Sequence, residues 1–234
     1  MILSDSFSAS QNQPLGYVSS PPPAYLRPDQ TYALYYKRAF DIWLTGMLLL
    51  LAAPFLLPIA LGLSALISFD GYNPIYTQRR VGRHGRIFRM FKFRTMVHDA
   101  DKRLEDYLAR NPDAREEWET HQKLRYDPRI TMVGRFLRKT SLDELPQLLN
   151  VLRGEMSLVG PRPMMVEQSA FYPGRAYYLT RPGLTGPWQV SDRHSTSFID
   201  RAAYDDAYLH KLSFRTDLRL LFSTIFVVLR GTGV

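Results

Sequence analysis

Residues 42–69 form a run of 28 residues without a charged side chain. As a straight α-helix this run would be about 42 Å long, which exceeds the roughly 30 Å thickness of the hydrocarbon core of a bilayer. Helices in the core of a soluble domain are usually shorter than this. The run therefore predicts a membrane element and restricts the fold to one that keeps a long apolar segment out of water.

Two prolines and the charges around this run argue against a simple crossing. Pro54 and Pro58 lie near its middle, and each removes a backbone hydrogen bond and favours a bend. Lys37 and Arg38 precede the run, and five arginines follow it between residues 79 and 89. Because basic flanks favour the cytoplasmic side, both are expected there. We predict a re-entrant membrane helix hairpin over about residues 42–69, broken at Pro54, with a tilted single span as the alternative.

The rest of the chain predicts one α+β domain, mostly helical and membrane-associated, with a small β element. Residues 1–33 are rich in Ser, Pro, Gln and Asn, which is typical of a disordered tail, and residues 34–234 form the domain. Residues 75–93 predict a strand, a turn and a second strand. Residues 99–125 are charge-dense and predict solvated helices.

Three segments of the second half complete the expected elements. Residues 202–212 predict a helix, and residues 188–190 a short strand. The apolar run over residues 217–230 is too short to span a membrane and suits either the headgroup layer or the core.

The charge balance indicates an anionic partner. The chain has 30 Lys and Arg against 22 Asp and Glu, which suits lipid headgroups and phosphorylated substrates. We predict these partners and no nucleic acid. The absence of cysteine excludes disulfides and thiolate metal sites, and the five histidines have no zinc-like spacing.

Residues 138–163 carry the densest chemical signal. Adjacent carboxylates, Asp143 and Glu144, precede a run of leucines at helical spacing. Ser141, three residues before Glu144, has the pattern of a capping box, and Pro146 is tolerated in or near a first helical turn. The carboxylates are therefore expected at a helix start, where a phosphate or its metal ion would also bind. Acidic residues also cap helices without any chemical role, so the pair alone decides nothing.

Phosphoryl transfer needs charge neutralisation and alignment more than elaborate acid–base groups. Asp143 and Glu144 can hold Mg²⁺, and Asp143 can also act as a nucleophile. Guanidinium groups match phosphate oxygens in pairs. The candidates are Arg138, Arg193 and Arg162, the last of which stands between two prolines that restrict its backbone. Lys92, in an aromatic-rich strand, can pair with a carboxylate or a phosphate, or extend along a membrane surface.

Five motifs in a fixed order carry a resemblance to a known family: YKRAFD at residues 36–41, KFRTM at 92–96, SLDELPQLLNVL at 141–152, MSLVGPRP at 156–163 and RPGLTG at 181–186. Together they resemble the bacterial sugar transferases, the monotopic polyprenyl-phosphate sugar phosphotransferases. The resemblance extends from about residue 36 to residue 234.

The resemblance implies transfer of a sugar 1-phosphate from a UDP-sugar to undecaprenyl phosphate on the cytoplasmic face of the bacterial plasma membrane, which initiates exopolysaccharide or related glycan synthesis. It implies a hexose, galactose or glucose first. It assigns Asp143 as the nucleophile that forms an aspartyl-phosphosugar, Glu144 as its partner and Mg²⁺ as the cofactor.

The resemblance also assigns the basic residues. Arg138, Arg162, Arg193 and Lys92 match the family's functional positions, and Pro54 matches its helix break. This chain departs from the pattern at Ala53, where a serine is common, and at Ser191-Asp192, where Asn-Gly is common before Arg193.

Two other functions fit parts of the pattern. A membrane-surface hydrolase would split nucleotide sugars with the same metal and arginines but would need no lipid acceptor. A basic membrane scaffold fits the charge and hydrophobicity but gives no reason for the Pro-Arg-Pro loop. Homo-oligomers or downstream glycosyltransferases are possible further partners.

Overall fold

The computed structural model describes residues 31–121, 124–191 and 198–229. These residues form a mostly helical α+β fold, which confirms the predicted class. The elements in chain order are a π-helical turn (Tyr32–Tyr36), α1 (Lys37–Ile67), β1 (Ile75–Val81), β2 (Ile87–Phe93), α2 (Ala100–Arg110), α3 (Pro112–His121), α4 (Met132–Thr140), a 3-10 turn (Leu142–Glu144), α5 (Gln147–Arg153), β3 (Ser157–Val159), α6 (Ala176–Leu179), β4 (Gly183–Thr185), α7 (Pro187–Val190), α8 (Arg201–His210) and α9 (Phe214–Leu229).

The apolar run lies in α1, which is one α-helix where the sequence predicted two segments broken at Pro54. Helix α1 continues through both Pro54 and Pro58. Each proline removes one backbone donor, and the leucine- and alanine-rich neighbours continue the helix, so losing that bond does not end it. Pro54 therefore does not interrupt the helix, and the predicted change of direction at this residue stays a prediction.

Helix α1 and the turns at its ends form the one helix, within the described residues, that is long and apolar enough to cross a membrane. Only 11% of its most apolar window is buried inside the protein. A core helix of a soluble domain would be mostly buried, so this exposure favours a helix that faces lipid.

Both ends of α1 are attached to the same body of the protein. Near the start, the guanidinium of Arg38 donates to the carbonyl oxygens of Val151 at 2.7 Å and Leu152 at 3.1 Å. Near the end, Leu63 is buried in an apolar cluster that includes Phe93. The two attachment points therefore lie on α5 and on β2.

These two attachment points are close to each other. The Asn150 side chain in α5 accepts a hydrogen bond from the Phe91 amide of β2 at 3.0 Å. A straight helix would place Arg38 and Leu63 about 38 Å apart. Attachment of both to neighbouring elements favours a bend in α1 between them, where the prolines are.

A buried polar network fixes the start of α1 to α9 and β3. Lys37 Nζ donates to Asp217 Oδ2 at 2.6 Å and to the Val159 carbonyl at 2.9 Å. The hydroxyls of Tyr32 and Tyr208 donate to the same carboxylate at 2.8 and 2.7 Å. Since each charge is paired and hydrogen-bonded, its burial is tolerated. The network holds α9 against the central part of the protein.

The predicted hairpin over residues 75–93 is confirmed. Strands β1 and β2 pair in antiparallel register from Ile75 opposite Phe93 to Val81 opposite Ile87. Alternate side chains of a strand share a face. One face of the hairpin therefore carries the side chains that line the site, and the other face is separate from it.

The loop around Pro161–Pro163 is held between β1 and β4. Strand β3 pairs in parallel with β4, and the Gly160 amide donates to the Thr185 carbonyl at 2.8 Å. A Cβ atom at Gly160 would lie 2.3 Å from the Arg181 carbonyl oxygen, so a larger residue would push the loop away. The Val81 amide of β1 donates to Met164 O at 3.1 Å on the other side.

The predicted capping box at Ser141 is wrong. Ser141 ends α4 in the left-handed conformation with φ of 57°, and its side chain makes no capping hydrogen bond. A residue in that conformation cannot present its hydroxyl to the next helix start as a box requires. Asp143 and Glu144 consequently lie in a separate 3-10 turn before α5.

The remaining predictions of elements give one further correction. The predicted strand over residues 188–190 is wrong, because this segment lies in α7, where Pro187 occupies the first turn and favours a helix. The charged helices α2 and α3 and the predicted helix α8 are confirmed. The run over residues 217–230 lies within α9 as far as residue 229, with exposed Phe222 and Phe226.

Candidate active site

The carboxylate pair, Asp143 and Glu144, lies in the 3-10 turn, beside the end of β2. Lys92 Nζ donates to Glu144 Oε1 at 2.9 Å and lies 3.7 Å from Asp143 Oδ2. Asp143 is buried, with 8% of its surface exposed. The ammonium group of Lys92 thus forms ion pairs with both carboxylates.

Opposing effects set the proton affinity of Asp143. Burial raises the pKa of its carboxyl, Lys92 and Arg138 lower it, and the neighbouring charge of Glu144 raises it again, so the pKa is above its ordinary value. A carboxylate in this state is basic and poorly solvated. These are properties of a good nucleophile.

Arg138 projects from α4 toward the same carboxylates. Its Nε donates to Thr95 Oγ1 at 2.9 Å, which fixes the side chain beyond the end of β2. Burial lowers the pKa of the guanidinium, and Asp143 opposes that shift. Helix α4 is itself capped by Thr131 Oγ1, which accepts from the Gly134 amide at 2.9 Å.

Arg162 belongs to the loop around Pro161–Pro163. Its guanidinium lies 5.7 Å above the ring of Trp188 in α7, within the range of a cation–π contact. This contact and the flanking prolines restrict both the side chain and the backbone of Arg162. The predicted immobilisation of this arginine is consistent with both contacts.

One open cavity of about 890 Å³ brings these side chains together. Its lining includes five of the predicted site residues, Lys92, Arg138, Asp143, Glu144 and Arg162. The volume suits a drug-sized or larger ligand such as a nucleotide sugar. Residues far apart in the chain therefore converge on one space, as the sequence analysis required.

Two predicted residues, Arg193 and Pro54, are not among these five. Arg193 falls outside the described residues. Pro54 lies within α1 and, among the described residues, is not part of the cavity lining. The cavity lining also includes apolar residues, among them Leu184 of β4 and Val227 and Val228 of α9.

The cavity lining includes three arginines that the sequence analysis did not propose as site residues: Arg94, which pairs with Asp70, Arg129, which pairs with Asp127, and Arg80. Arg80 lines it together with Gln78 and Tyr76. In the sequence Arg80 belongs to the basic flank after the membrane run, beside Arg79. The available signal was the alternation along β1, which puts residues 76, 78 and 80 on one face.

The described residues contain no group of three His, Cys, Asp or Glu side chains that could hold a metal ion. The carboxylates that line the cavity are those of Asp101, Asp143 and Glu144, and the last two are adjacent in one turn. Mg²⁺ commonly takes one or two carboxylates and completes its shell with substrate phosphates and water. The pair therefore fits a magnesium ion that binds together with a phosphorylated substrate.

The arrangement is suited to transfer of a phosphoryl group. A basic carboxylate faces a cavity that is also lined by a lysine and five arginines, so developing negative charge on a phosphate would be stabilised. Leu184, Val227 and Val228 in the lining can contact the hydrocarbon part of a substrate.

The exopolysaccharide production protein ExoY of Rhizobium meliloti is 46% identical over 200 residues, which cover 84% of this chain and 87% of ExoY. The undecaprenyl-phosphate galactose phosphotransferase of Salmonella typhimurium is 46% identical over 84% of this chain, and the UDP-galactose-lipid carrier transferase of Erwinia amylovora is 48% identical over 84%. The match covers 41% of the length of each of the last two proteins. The sequence profile described as bacterial sugar transferase matches residues 32–231. This chain therefore belongs to the bacterial sugar transferase family.

Proposed function

We propose that this protein transfers a hexose 1-phosphate from a UDP-sugar to undecaprenyl phosphate and so initiates synthesis of an exopolysaccharide or related glycan. The observation that carries the proposal is the convergence of Asp143, Glu144, Lys92, Arg138 and Arg162 on one cavity. The names of the relatives from Salmonella and Erwinia support the acceptor, the donor and galactose as the first sugar to test.

The first step is attack on the donor by Asp143. A carboxylate oxygen bonds to the phosphorus that bears the sugar, the bond to the bridging oxygen of the diphosphate breaks, and UMP leaves with that electron pair. The enzyme then carries an aspartyl-phosphosugar. Lys92 keeps the attacking carboxylate in place. Arg138 and Arg162 stabilise the charge on the oxygens of the donor's two phosphates, a role we also assign to Arg193.

The second step passes the phosphosugar to the lipid. A phosphate oxygen of undecaprenyl phosphate attacks the same phosphorus, and the bond to the Asp143 oxygen breaks, which restores the carboxylate. The product is an undecaprenyl diphosphate sugar. Glu144 accepts a hydrogen bond from Lys92 and keeps a negative charge beside it while Asp143 changes from a carboxylate to an acyl phosphate and back.

Asp143 and Glu144 are the residues that would hold Mg²⁺, with Asp143 as the primary ligand. When bound, the ion supplies neutralisation of phosphate charge. Lys92 already provides part of that neutralisation at the carboxylates.

The proposed location is the cytoplasmic face of the bacterial plasma membrane, with α1 embedded but not crossing. Attachment of both ends of α1 to one body supports this arrangement. The basic residues on either side of α1 favour the same side of the membrane.

The proposal is tested with Asp143→Asn, which keeps the shape and removes the nucleophilic charge. We expect loss of UMP release and loss of a labelled sugar-phosphate adduct on the protein. Asp106→Asn, an exposed position on α2, serves as the control and should retain both. Unchanged UMP release from the Asp143 variant would refute the assigned role.

A second measurement separates transfer from hydrolysis. UDP-galactose and UDP-glucose are offered with and without undecaprenyl phosphate. A transferase forms lipid-linked sugar diphosphate only with the lipid, whereas release of free sugar 1-phosphate at the same rate without lipid identifies a hydrolase.

A further inference from the structure

Two arginines that the proposed mechanism does not use, Arg80 and Arg201, lie near Arg162. We infer that Arg80 and Arg162 form a second phosphate-binding subsite in the cavity, which takes the phosphate that stays with the nucleoside when the donor is split. Arg201 is a positioning residue behind this subsite. The identity of the ligand rests on the proposed function, whereas binding at the subsite does not require turnover.

Arg80 is held in place by neutral partners. Its Nη1 donates to the Pro163 carbonyl at 2.9 Å and its Nη2 to Gln78 Oε1 at 2.6 Å. The backbone of Arg80 also forms a bridge with Met165 after the proline loop. These contacts fix the guanidinium beside Arg162 but leave its charge without a counter-ion.

The positive charge of the cluster is only partly balanced. Within the described residues, no carboxylate forms an ion pair with Arg80, Arg162 or Arg201. Burial and then the charge of Arg162 lower the pKa of Arg80 to about 10 and that of Arg201 to about 10. Asp205 offsets part of the Arg201 charge, but it is buried and accepts from the Tyr172 hydroxyl at 2.6 Å. A bound oxyanion would supply the missing counter-charge.

The hydrogen-bonding capacity of the cluster is also incomplete. The Nε atoms of Arg80 and Arg201 are buried and have no hydrogen-bond partner within the described residues. Buried donors without partners are uncommon because each one costs free energy. Arg80 and Arg162 line the cavity, so a phosphate placed there can reach both guanidinium groups.

Arg201 acts through an aromatic ring. Its guanidinium lies 4.2 Å from the centre of the Trp188 ring, and Arg162 lies 5.7 Å from the same centre. Arg201 also lies 5.0 Å from the Phe198 ring and is not part of the cavity lining. It therefore fixes Trp188, which in turn orients Arg162.

The subsite is distinct from the position of chemistry. Lys92, which contacts the nucleophile, is paired with Tyr76, and Arg80 lies four residues further along β1 on the same face. At the usual strand rise this separates the two backbone positions by about 13 Å, and the long side chains of both residues line the same cavity. The phosphorus attacked by Asp143 lies at the Lys92 end, so Arg80 and Arg162 are left for the other phosphate of the donor.

Binding of UDP to the full chain tests the subsite, since UDP carries the phosphates but cannot transfer a sugar. We expect Arg80→Ala to raise the Kd for UDP about tenfold or more, measured by calorimetry, because a charge-assisted bond is lost. Arg79→Ala is the matched control: Arg79 is adjacent, equally charged, exposed and on the opposite face, so its Kd should change less than about twofold.

Further variants cover failure of folding. If Arg80→Ala loses its cooperative unfolding transition, Arg80→Lys decides, because lysine keeps the charge but not the two-pronged contact. A Kd for UDP equal to that of the unaltered protein in Arg80→Lys, or equal values in the Arg80 and Arg79 alanine variants, would overturn the inference. A rise in the KM for undecaprenyl phosphate alone would assign the phosphate to the acceptor and also overturn it.

The outcome is separable from the proposed function. If the protein binds UDP in an Arg80-dependent manner but transfers no sugar, the subsite stands and the transferase proposal fails.

For Arg201, we expect Arg201→Met to raise the KM for the UDP-sugar with little change in kcat, and Arg201→Lys to restore it, since lysine also contacts an aromatic face. Equal effects of both variants on KM and kcat would contradict a positioning role.

Discussion

At the scale of single residues, the proposed mechanism makes the acidity of Asp143 decide the pH range of its first chemical step. Attack requires the carboxylate, so the rate falls as pH drops through the pKa of Asp143. Burial places that pKa above its ordinary value, and Lys92, 3.7 Å away, holds it below where burial alone would leave it. The acid limb of the rate profile therefore reports on both effects.

Replacement of Lys92 by methionine should move this limb to higher pH. The variant removes the positive charge that favours the carboxylate and keeps an unbranched side chain of similar length. The measurement is the rate of adduct formation as a function of pH, in single turnover without lipid. Lys92→Arg is the control and should keep the limb near its original position, whereas an identical profile in the methionine variant would exclude coupling between Lys92 and Asp143.

Residue types and spacing were sufficient to predict that Asp143, Glu144, Arg138 and Arg162 line one cavity. They were insufficient where backbone conformation decides. Ser141 has the sequence of a cap but adopts a left-handed conformation, and Arg80 is indistinguishable from Arg79 until strand pairing assigns each to a face. Local pattern predicts chemistry, whereas the direction of a side chain depends on the tertiary structure.

At the scale of elements, α4 packs closely against the residues after β2 because Gly134 has no side chain. A Cβ atom at Gly134 would lie 2.0 Å from the Thr95 carbonyl oxygen. Thr95 is also the hydrogen-bond partner of Arg138, so the close approach of α4 places an arginine at the cavity. The glycine weakens the helix by propensity, and this packing is the compensating gain.

Gly134→Ala should therefore destabilise the protein by about 1–3 kcal/mol and reduce transferase activity, because α4 must move away from Thr95 and carry Arg138 with it. Thermal unfolding and UMP release measure the two effects. The control is Gly62→Ala in α1, where an added Cβ atom would have nothing within 4 Å and helix propensity improves. Similar losses in both variants would mean that the close approach of α4 is not what matters.

Element types followed from periodicity in most places, and the exceptions have local causes. Pro187 starts the short helix α7, although the aromatic and β-branched residues after it resemble a strand. Prolines in α1 remove single bonds within a long apolar helix and do not end it. In both places the effect of proline depended on its position in the helix, which the composition of the segment does not give.

At the scale of the whole molecule, the cavity and the membrane helix share supports. Leu63 of α1 packs in the apolar cluster with Phe93, next to Lys92, and with Leu137, next to Arg138. Arg38 at the other end of α1 holds the carbonyl oxygens at the end of α5. The position of α1 is thus mechanically linked to the residues proposed to bind phosphate, and in the proposed membrane arrangement this link keeps the carboxylates at a fixed depth near the lipid headgroups.

This linkage predicts the topology of α1. With both of its ends attached to one body, Tyr35 before α1 and Arg79 after it must lie on the same side of the membrane. The chain has no cysteine, so single cysteines at these two positions can be labelled without a background. In sealed inverted vesicles, an impermeant thiol reagent should label Tyr35→Cys and Arg79→Cys equally, and neither position should be labelled in right-side-out vesicles.

Two further variants make the topology experiment decisive. Ala53→Cys, next to Pro54 in the middle of α1, should resist the reagent from both sides, because the helix is expected to turn within the lipid. In a background of Pro54→Leu and Pro58→Leu, a straighter α1 should strain its attachments at Arg38 and Leu63, so we expect lower activity and a lower unfolding temperature. Labelling of Tyr35→Cys and Arg79→Cys from opposite sides would mean that α1 crosses the membrane, and the attachment of both its ends to one body would then be incompatible with the membrane-bound protein.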